Sequence, residues 1–276
     1  MKRIFSIVAA LCFLSAQSLD AQRLTILHTN DTHSHIDPQR GGRDDGKLGV
    51  IERAAFIDSV RTADGRRNVL LLDAGDFDQG SSYFTVLGGR VEVDLLNAMG
   101  YDAVALGNHA FDNGIEDLCE RMKRFRGDVL CANYDFSEFE LGKYVKPYAI
   151  YRRGGLKIGV IGLLTNVRSV VAAETAARLK YLSPSECVNR WSAYLRERKG
   201  CDLVIVLSHL GYDGRPGSDD HDCGMAAMSR GVDMVIGGHS HTYLPEATYV
   251  NDLDGKPVMI VQDYRWGLYV GDIKVN

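Results

Sequence analysis

The chain has 276 residues, of which 45% are hydrophobic and 25% charged, and its formal net charge is −4. This composition is typical of a soluble globular protein and excludes a collagen-like or intrinsically disordered chain. Lysine and arginine are scattered without a basic stripe, so we expect no nucleic-acid partner.

The first 21 residues have the order of a secretory signal peptide. Lys2 and Arg3 precede an apolar run over residues 4–14, and small and polar residues follow. The run is too short to span a bilayer comfortably, and no later stretch is long and apolar enough to do so. We therefore expect a periplasmic or secreted protein whose residues 22–276 form one catalytic domain after removal of residues 1–21.

Short apolar runs and helical patterns alternate along the rest of the chain. Helices are predicted over residues 48–63, 91–100, 115–127 and 183–200. Residues 143–165 indicate a hairpin that turns at Gly154 and Gly155, and residues 255–275 indicate two consecutive strands. This alternation predicts an α/β fold. Further strands are predicted over residues 24–27, 69–72, 103–106, 203–207 and 234–236.

The cysteines beyond the signal peptide are odd in number and widely spaced. They form no C-x-x-C pair, so the sequence favours buried free thiols over a disulfide framework or a thiolate zinc site. Two other stretches are expected to be loops: the acidic residues 218–222, which should be solvated, and residues 264–266, which could contact a substrate. The five cysteines are Cys119, Cys131, Cys187, Cys201 and Cys223.

Five of the predicted strands are each followed by side chains that commonly bind metals. Ligands of open α/β sheets gather beyond the carboxyl ends of the strands, so these side chains should converge. They offer carboxylate, imidazole and amide groups, which suit zinc, manganese, iron or cobalt. Seven groups are too many for one tetrahedral ion and suit two ions that share a carboxylate. The candidates are Asp31, His33, Asp76, Asn108, His209, His239 and His241.

These motifs, taken in order, resemble the calcineurin-like metallophosphoesterases. They are most similar to the amino-terminal catalytic domain of bacterial 5′-nucleotidases, in the 5′-nucleotidase and UDP-sugar hydrolase family. The resemblance extends over residues 23–275 and implies a four-layer α/β/β/α sandwich of mixed sheets flanked by helices. It is carried by the segments ILHTNDTHSH, GDFDQGSSYF, MGYDAVALGNHAFDNG, LSHLGYDG and IGGHSHT.

The resemblance also implies a role for each candidate residue. His109 would stabilise charge on the phosphoryl or leaving oxygen, and Asp112 would orient its imidazole. Ala110 departs from the family, which commonly has an acidic residue at this position. One ion would be held by Asp31, His33, Asp76 and His241. The other would be held by Asp76, Asn108, His209 and His239, with Asp76 bridging.

The implied reaction is hydrolysis of nucleotide phosphate monoesters by attack of metal-bound hydroxide, without a phosphoenzyme. Two divalent cations neutralise the anionic ester and lower the pKa of bound water. The alternatives are a phosphodiesterase or nucleotide-sugar diphosphatase, or a non-catalytic metal- or partner-binding module. Family members continue into a second domain that recognises the nucleoside. For this chain we therefore expect broad specificity, a separate base-binding domain protein, or a partial sequence.

Overall fold

The computed structural model describes residues 24–47 and 49–275, so the expected signal peptide lies outside the described residues. Within these ranges the chain forms fourteen strands and seven α-helices. The helices are α1 (Val50–Asp64), α2 (Ser82–Leu87), α3 (Arg90–Met99), α4 (Gly114–Met122), α5 (Ala173–Ala177), α6 (Pro184–Ala193) and α7 (Asp222–Ala227). The strands are β1 (Leu24–Thr29), β2 (Val69–Asp73), β3 (Ala103–Ala105), β4 (Asp128–Leu130), β5 (Tyr134–Asp135), β6 (Val145–Lys146), β7 (Tyr148–Arg153), β8 (Leu156–Leu164), β9 (Lys180–Tyr181), β10 (Leu203–His209), β11 (Met234–Ile236), β12 (Thr248–Asn251), β13 (Pro257–Val261) and β14 (Gly271–Val275).

Twelve of these strands build two six-stranded sheets. The first sheet has the order β14-β1-β2-β3-β4-β6, and the second has the order β12-β13-β11-β10-β8-β7. The pairs are parallel except at β14, β12 and β7, which run antiparallel to their neighbours at sheet edges. The parallel strands of each sheet therefore end at a common edge. Strands β5 and β9 form a separate antiparallel pair.

The two sheets pack face to face, and helices cover both outer faces. On β1, Ile26 faces the core between the sheets, whereas Leu27 faces the core under α1, α3 and α4. On β10, Ile205 faces the inter-sheet core and Val206 faces the core under α6 and α7. Successive side chains of a strand point to opposite faces, so continuous apolar runs are buried on both sides. The four-layer α/β/β/α architecture is confirmed.

The predicted helices are confirmed, but α4 and α6 end earlier than predicted. Helix α4 ends at Met122, five residues before the predicted end. The following amides donate to carbonyl oxygens three residues earlier, as Phe125 N does to Met122 O at 3.2 Å. Gly127 serves another purpose: a Cβ there would lie 2.7 Å from the carbonyl oxygens of Tyr101 and Asp102. Past Ala193, α6 continues as a π-helical turn over Tyr194–Arg198.

The sequence also predicted the state of the cysteines and the last two strands. The five cysteines are all free thiols, as predicted, but only Cys119, Cys131 and Cys201 are buried, and the other two are partly exposed. Strands β13 and β14 are consecutive, but they lie in different sheets, so residues 262–270 cross from one sheet to the other. Among residues 24–47 and 49–275, no helix has the length and apolar character needed to cross a membrane.

Candidate metal centre and active site

The candidate ligands converge at the carboxyl ends of the central strands, where a pocket of about 640 Å³ opens. Asp31 and His33 follow β1, Asp76 follows β2, and Asn108 follows β3. His209 ends β10, while His239 and His241 follow β11. Asp31 and His209 lie fully buried beneath the pocket. Its lining includes His33, Asp76, Asn108, His109, His239 and His241.

Asp31, His33 and His241 form the first cluster. Nε2 of His33 lies 2.9 Å from Nε2 of His241, and Oδ1 of Asp31 lies 3.3 Å from Nε2 of His241. The three ligand atoms all lie within 4.8 Å of one another, which is close enough for one cation to contact them together. The cluster joins the end of β1 to the turn after β11.

Asp76, His209 and His239 form the second cluster, which meets the same distance criterion. Oδ2 of Asp76 lies 2.9 Å from Nε2 of His209. Asp76 also groups with His33 and His109, so its carboxylate lies between the two clusters. A carboxylate between two such groups of ligand atoms is within reach of both.

Unpartnered buried atoms show that the residues fit a cation. Oδ1 of Asn108 is buried without a hydrogen-bond partner, and Nε2 of His209 is buried against the carboxylate of Asp76, 2.9 Å away. Nδ1 of His209 lies 2.7 Å from the carbonyl oxygen of Ala74, so the hydrogen bond assigns its proton to Nδ1 in the neutral ring and leaves Nε2 free to bind. A buried polar atom without a partner costs about 1–3 kcal/mol, and a cation would remove that cost.

The electrostatics of the cluster agree with a bound cation. Burial opposes a charge on His209, but Asp76 and Asp31 outweigh it and raise the pKa of that imidazole to about 9. A metal ion would therefore displace a proton that the two carboxylates attract. Burial and the charge of His209 lower the pKa of His239 to about 4, and burial also lowers the pKa of His33. Both rings are neutral near pH 7, as ligands must be.

Most of the candidate ligands occupy the left-handed backbone region, which side chains other than glycine rarely adopt. Such conformations persist where the surroundings hold them and cluster at functional sites. Here Asp31 N donates to Gly75 O at 2.9 Å, and His33 N donates to Asp76 O at 3.0 Å. The five φ angles are 48° at Asp31, 45° at His33, 53° at Asp76, 71° at His239 and 53° at His241.

Two glycines allow the backbone to approach the ligands. A Cβ on Gly107 would lie 2.0 Å from Oδ1 of Asp76, and a Cβ on Gly238 would lie 2.8 Å from Nδ1 of His209. Neither position has room for a side chain. The motifs GNH and GGHSH therefore need glycine for space at these positions rather than for a positive φ.

Gln262, the first residue after β13, clamps the turn that carries His239 and His241. It is fully buried, and its Nε2 donates to Gly238 O at 3.0 Å. Its Oε1 accepts from Ser240 Oγ at 3.0 Å and from the amide of Thr242. Sequence reasoning missed this residue, although a polar side chain directly after a buried strand is the signal that identified the ligands.

Asn30 performs a similar task at the end of β1. Its Nδ2 donates to Oδ2 of Asp31 at 2.6 Å and to Tyr264 O at 2.7 Å, and its Oδ1 accepts from Asp263 N at 2.8 Å. Trp266 N donates to Asp31 O at 2.7 Å. The segment that crosses between the sheets is therefore bonded to the turn after β1.

His109 and Asp112 form an exposed pair at the pocket rim. Nδ1 of His109 lies 2.8 Å from Oδ2 of Asp112, and about 30% of the imidazole surface is exposed. The hydrogen bond that His109 donates to the carboxylate of Asp112 raises the pKa of His109 despite partial burial. Asp112 does not cap α4, whose N-cap is Asn113. The pair presents an oriented imidazole to the pocket.

Two other expectations have clear outcomes. Ala110, which departs from the family pattern, is buried in the core, and its carbonyl oxygen accepts from Arg121 Nη2 at 2.6 Å.

The expectation of a solvated loop at residues 218–222 is wrong. Asp222 is fully buried and accepts from Ser208 Oγ, because the acidic stretch folds back against the end of β10.

Comparison with known proteins agrees with this geometry. The family profile of calcineurin-like phosphoesterases matches residues 24–243. Snake venom 5′-nucleotidase of Naja atra is 35% identical over 278 residues, which are 92% of this chain and 50% of that protein. Probable 5′-nucleotidase of Treponema pallidum (strain Nichols) is 30% identical over 298 residues, which are 99% of this chain and 49% of that protein.

A solved structure gives the same result. The 5′-nucleotidase precursor of Thermus thermophilus superposes with a TM-score of 0.79 at 35% identity, covering 92% of this chain and 51% of that one. The chain thus spans about half the length of the relatives it matches. With the sandwich fold and the paired clusters at its strand ends, the chain belongs to the calcineurin-like phosphoesterase family, whose members use divalent metals to hydrolyse phosphoric esters.

Proposed function

We propose that this chain is a 5′-nucleotidase-like hydrolase that releases phosphate from nucleotide monoesters with two divalent metal ions. The observation that carries the proposal is the position of Asp76, whose carboxylate belongs to two neighbouring groups of ligand atoms. Zinc, manganese, iron or cobalt fit the oxygen and nitrogen donors. The names of the relatives support the nucleotide as substrate.

The proposed roles follow from the contacts of each side chain. When bound, the two ions supply positive charge for the ester and lower the pKa of water. Asp112 holds Nδ1 of His109, which leaves Nε2–H to donate to a phosphoryl or leaving oxygen. The proposed ligands are Asp31, His33, Asp76 and His241 for one ion. They are Asp76, Asn108, His209 and His239 for the other.

The proposal extends to location and partners. We propose that residues 1–21 direct the chain to the periplasm or outside the cell and that residues 22–276 are the catalytic domain. We also propose a separate base-binding domain protein as a candidate partner. Activity measured with and without such a protein would test this part.

A substrate panel tests the central proposal. Purified protein loaded with Mn²⁺ or Zn²⁺ should release phosphate from AMP, EDTA should abolish release, and metal analysis should find two ions per chain. Faster cleavage of a diester such as bis(p-nitrophenyl) phosphate would identify a phosphodiesterase instead. Two bound ions without cleavage of any ester would identify a non-catalytic binding module.

Two variants separate binding from chemistry. Asp76→Asn should lose metal, because it weakens the carboxylate shared by both clusters. His109→Gln should retain both ions and lose about 100-fold or more in kcat, the usual range for a general acid. If His109→Gln also lost its metal, the proposed division of roles would be wrong.

A further inference from the structure

Arg121 of α4 lies behind the candidate active site and bonds to two of the loops that form it. Its side chain is about 1% exposed. Nη2 donates to Ala110 O at 2.6 Å, and Nη1 donates to Oδ2 of Asp78. Ala110 directly follows His109, and Asp78 follows Asp76 by two residues. One buried guanidinium therefore joins the turn after β3 to the turn after β2.

The turn after β3 is short, and it carries both residues of the rim pair. It is a single 3₁₀ turn, in which Asp112 N donates to His109 O at 3.1 Å. Hydrogen bonds of 3₁₀ turns have poor geometry, so such a turn depends on contacts from outside. On the pocket side, His109 N donates to Oδ1 of Asp76 at 3.0 Å. On the buried side, the guanidinium of Arg121 holds the carbonyl oxygen of Ala110.

The position of the guanidinium is itself fixed by α3 and α4. Asp117, one turn earlier on α4, accepts from Nε of Arg121 at 2.8 Å. A Cβ on Gly89 would lie 2.9 Å from Cδ of Arg121 and 3.1 Å from Oδ1 of Asp78, so glycine before α3 leaves room for the ion pair. The planar fork of an arginine presents its N–H groups in fixed directions. It can therefore hold a carbonyl oxygen and two carboxylates at the same time.

Stability of the fold does not account for the ion pair between Arg121 and Asp78. Each ion loses several kcal/mol of hydration on burial, and an apolar pair of similar volume is often as stable or more stable. A buried ion pair with defined geometry can instead select one backbone arrangement. The arrangement selected here is that of the turn that presents His109, whose imidazole is about 30% exposed at the pocket rim.

We propose that Arg121 is a positioning residue for His109, which it places by holding the backbone of Ala110 against the turn after β2. The inference rests on the proposed phosphoesterase function, and Arg121 acts through His109 rather than on the ester. A displacement of about 1 Å at a reacting group can lower the rate about 100-fold. The imidazole acts on charge that develops in the transition state, so kcat should depend on Arg121 and KM should not.

A double variant tests this role without leaving a charge buried. Asp78→Val with Arg121→Met replaces the ion pair by apolar side chains of similar combined size. With AMP as substrate, kcat should fall about 10- to 100-fold, KM should stay within about twofold, and metal content should equal that of the wild type. Arg61→Met is the matched control, because Arg61 is also buried and donates to two carbonyl oxygens, Met99 O at 2.5 Å and Gly100 O at 2.8 Å. The control should keep wild-type kcat.

The same double change in a His109→Gln background separates positioning from general damage. If Arg121 acts through His109, kcat should fall no further there, because both changes remove one effect. Should the double variant not fold, Arg121→Lys keeps a cation beside Asp78 but lacks the Nη2 that bonds to Ala110 O. Its kcat should also fall, again only while His109 is present. Equal falls in both backgrounds, or wild-type kcat in both the double variant and Arg121→Lys, would overturn the inference.

Amide hydrogen exchange tests the same contact without turnover. In the double variant, the amides of His109 and Asp112 should exchange about 10-fold faster or more, while the amides of β2 keep their protection. Unchanged exchange at these two amides would overturn the inference and leave the hydrolase intact. No hydrolysis of any ester by the wild type would instead refute the proposed function, and faster exchange would still show that Arg121 holds the turn.

Discussion

Replacing Gln262 by leucine should weaken metal binding although this residue is not a proposed ligand. The amide of Gln262 bonds to three groups of the turn that presents His239 and His241, and both histidines hold left-handed backbone angles. Leucine has a similar volume but no polar atom. The turn would then lose the contacts that keep its two imidazoles in ligand geometry.

The magnitude follows from the lost contacts. Three hydrogen bonds with a net value of about 0.5–1.5 kcal/mol each give a loss of about 1.5–4.5 kcal/mol in the free energy of unfolding. Removal of a group that orients metal ligands typically costs about 10- to 100-fold in metal affinity. We expect a weakening of about that size for Gln262→Leu, even under conditions where the variant remains folded.

Chelator competition with Zn²⁺ or Co²⁺ measures the affinity, and urea unfolding in EDTA measures the metal-free stability. Asn189→Leu is the matched control, since Asn189 on α6 also bridges two backbone groups, Met228 O at 2.9 Å and Arg230 N at 2.7 Å. The control should lose stability but retain wild-type metal affinity. If Gln262→Leu lost stability and kept wild-type affinity, the clamp would have no role in presenting the ligands.

Three further outcomes are expected. Asp112→Asn should lower kcat about 10-fold or more with metal content unchanged, because His109 loses its charged partner; kcat equal to wild type would contradict this role. Gly107→Ala should lose bound metal in elemental analysis, because its Cβ would collide with Asp76, and a variant with full occupancy would disprove the steric argument. Burial raises the pKa of Asp222 to about 8, so its ionisation destabilises the fold as pH rises from about 4 to 8. Urea unfolding in EDTA should therefore show Asp222→Asn gaining stability over wild type at pH 8 but not near pH 4, and parallel pH profiles would contradict it.

The parts of the site that could be predicted from sequence depend on local patterns. Asp31 and His33 directly follow a buried apolar run, and so do Asn108 and His109 after β3. Because parallel strands end at one sheet edge, residues directly after such runs come together whatever the order of the strands. The convergence of the candidate ligands therefore needed no tertiary information.

The residues that were missed depend on long-range neighbours. Gln262 clamps the turn after β11 only because β13 pairs with β11, a pairing that the sequence does not reveal. Asp222 has acidic neighbours typical of a solvated loop, but it folds back against Ser208 on β10. The early end of α4 has the same origin, since the chain must turn so that Gly127 can pass the backbone at residues 101–102.

The division of the proposed ligands between the two sheets has a consequence for folding as well as chemistry. Asp31, His33, Asp76 and Asn108 come from the first sheet, and the three other histidines come from the second. Each cation would thus crosslink layers that otherwise adhere mainly through apolar side chains. The free energy of unfolding, and with it the melting temperature, should then rise with free metal concentration. For one site the gain in free energy is about 2.7 kcal/mol at a free metal concentration of 100 times Kd.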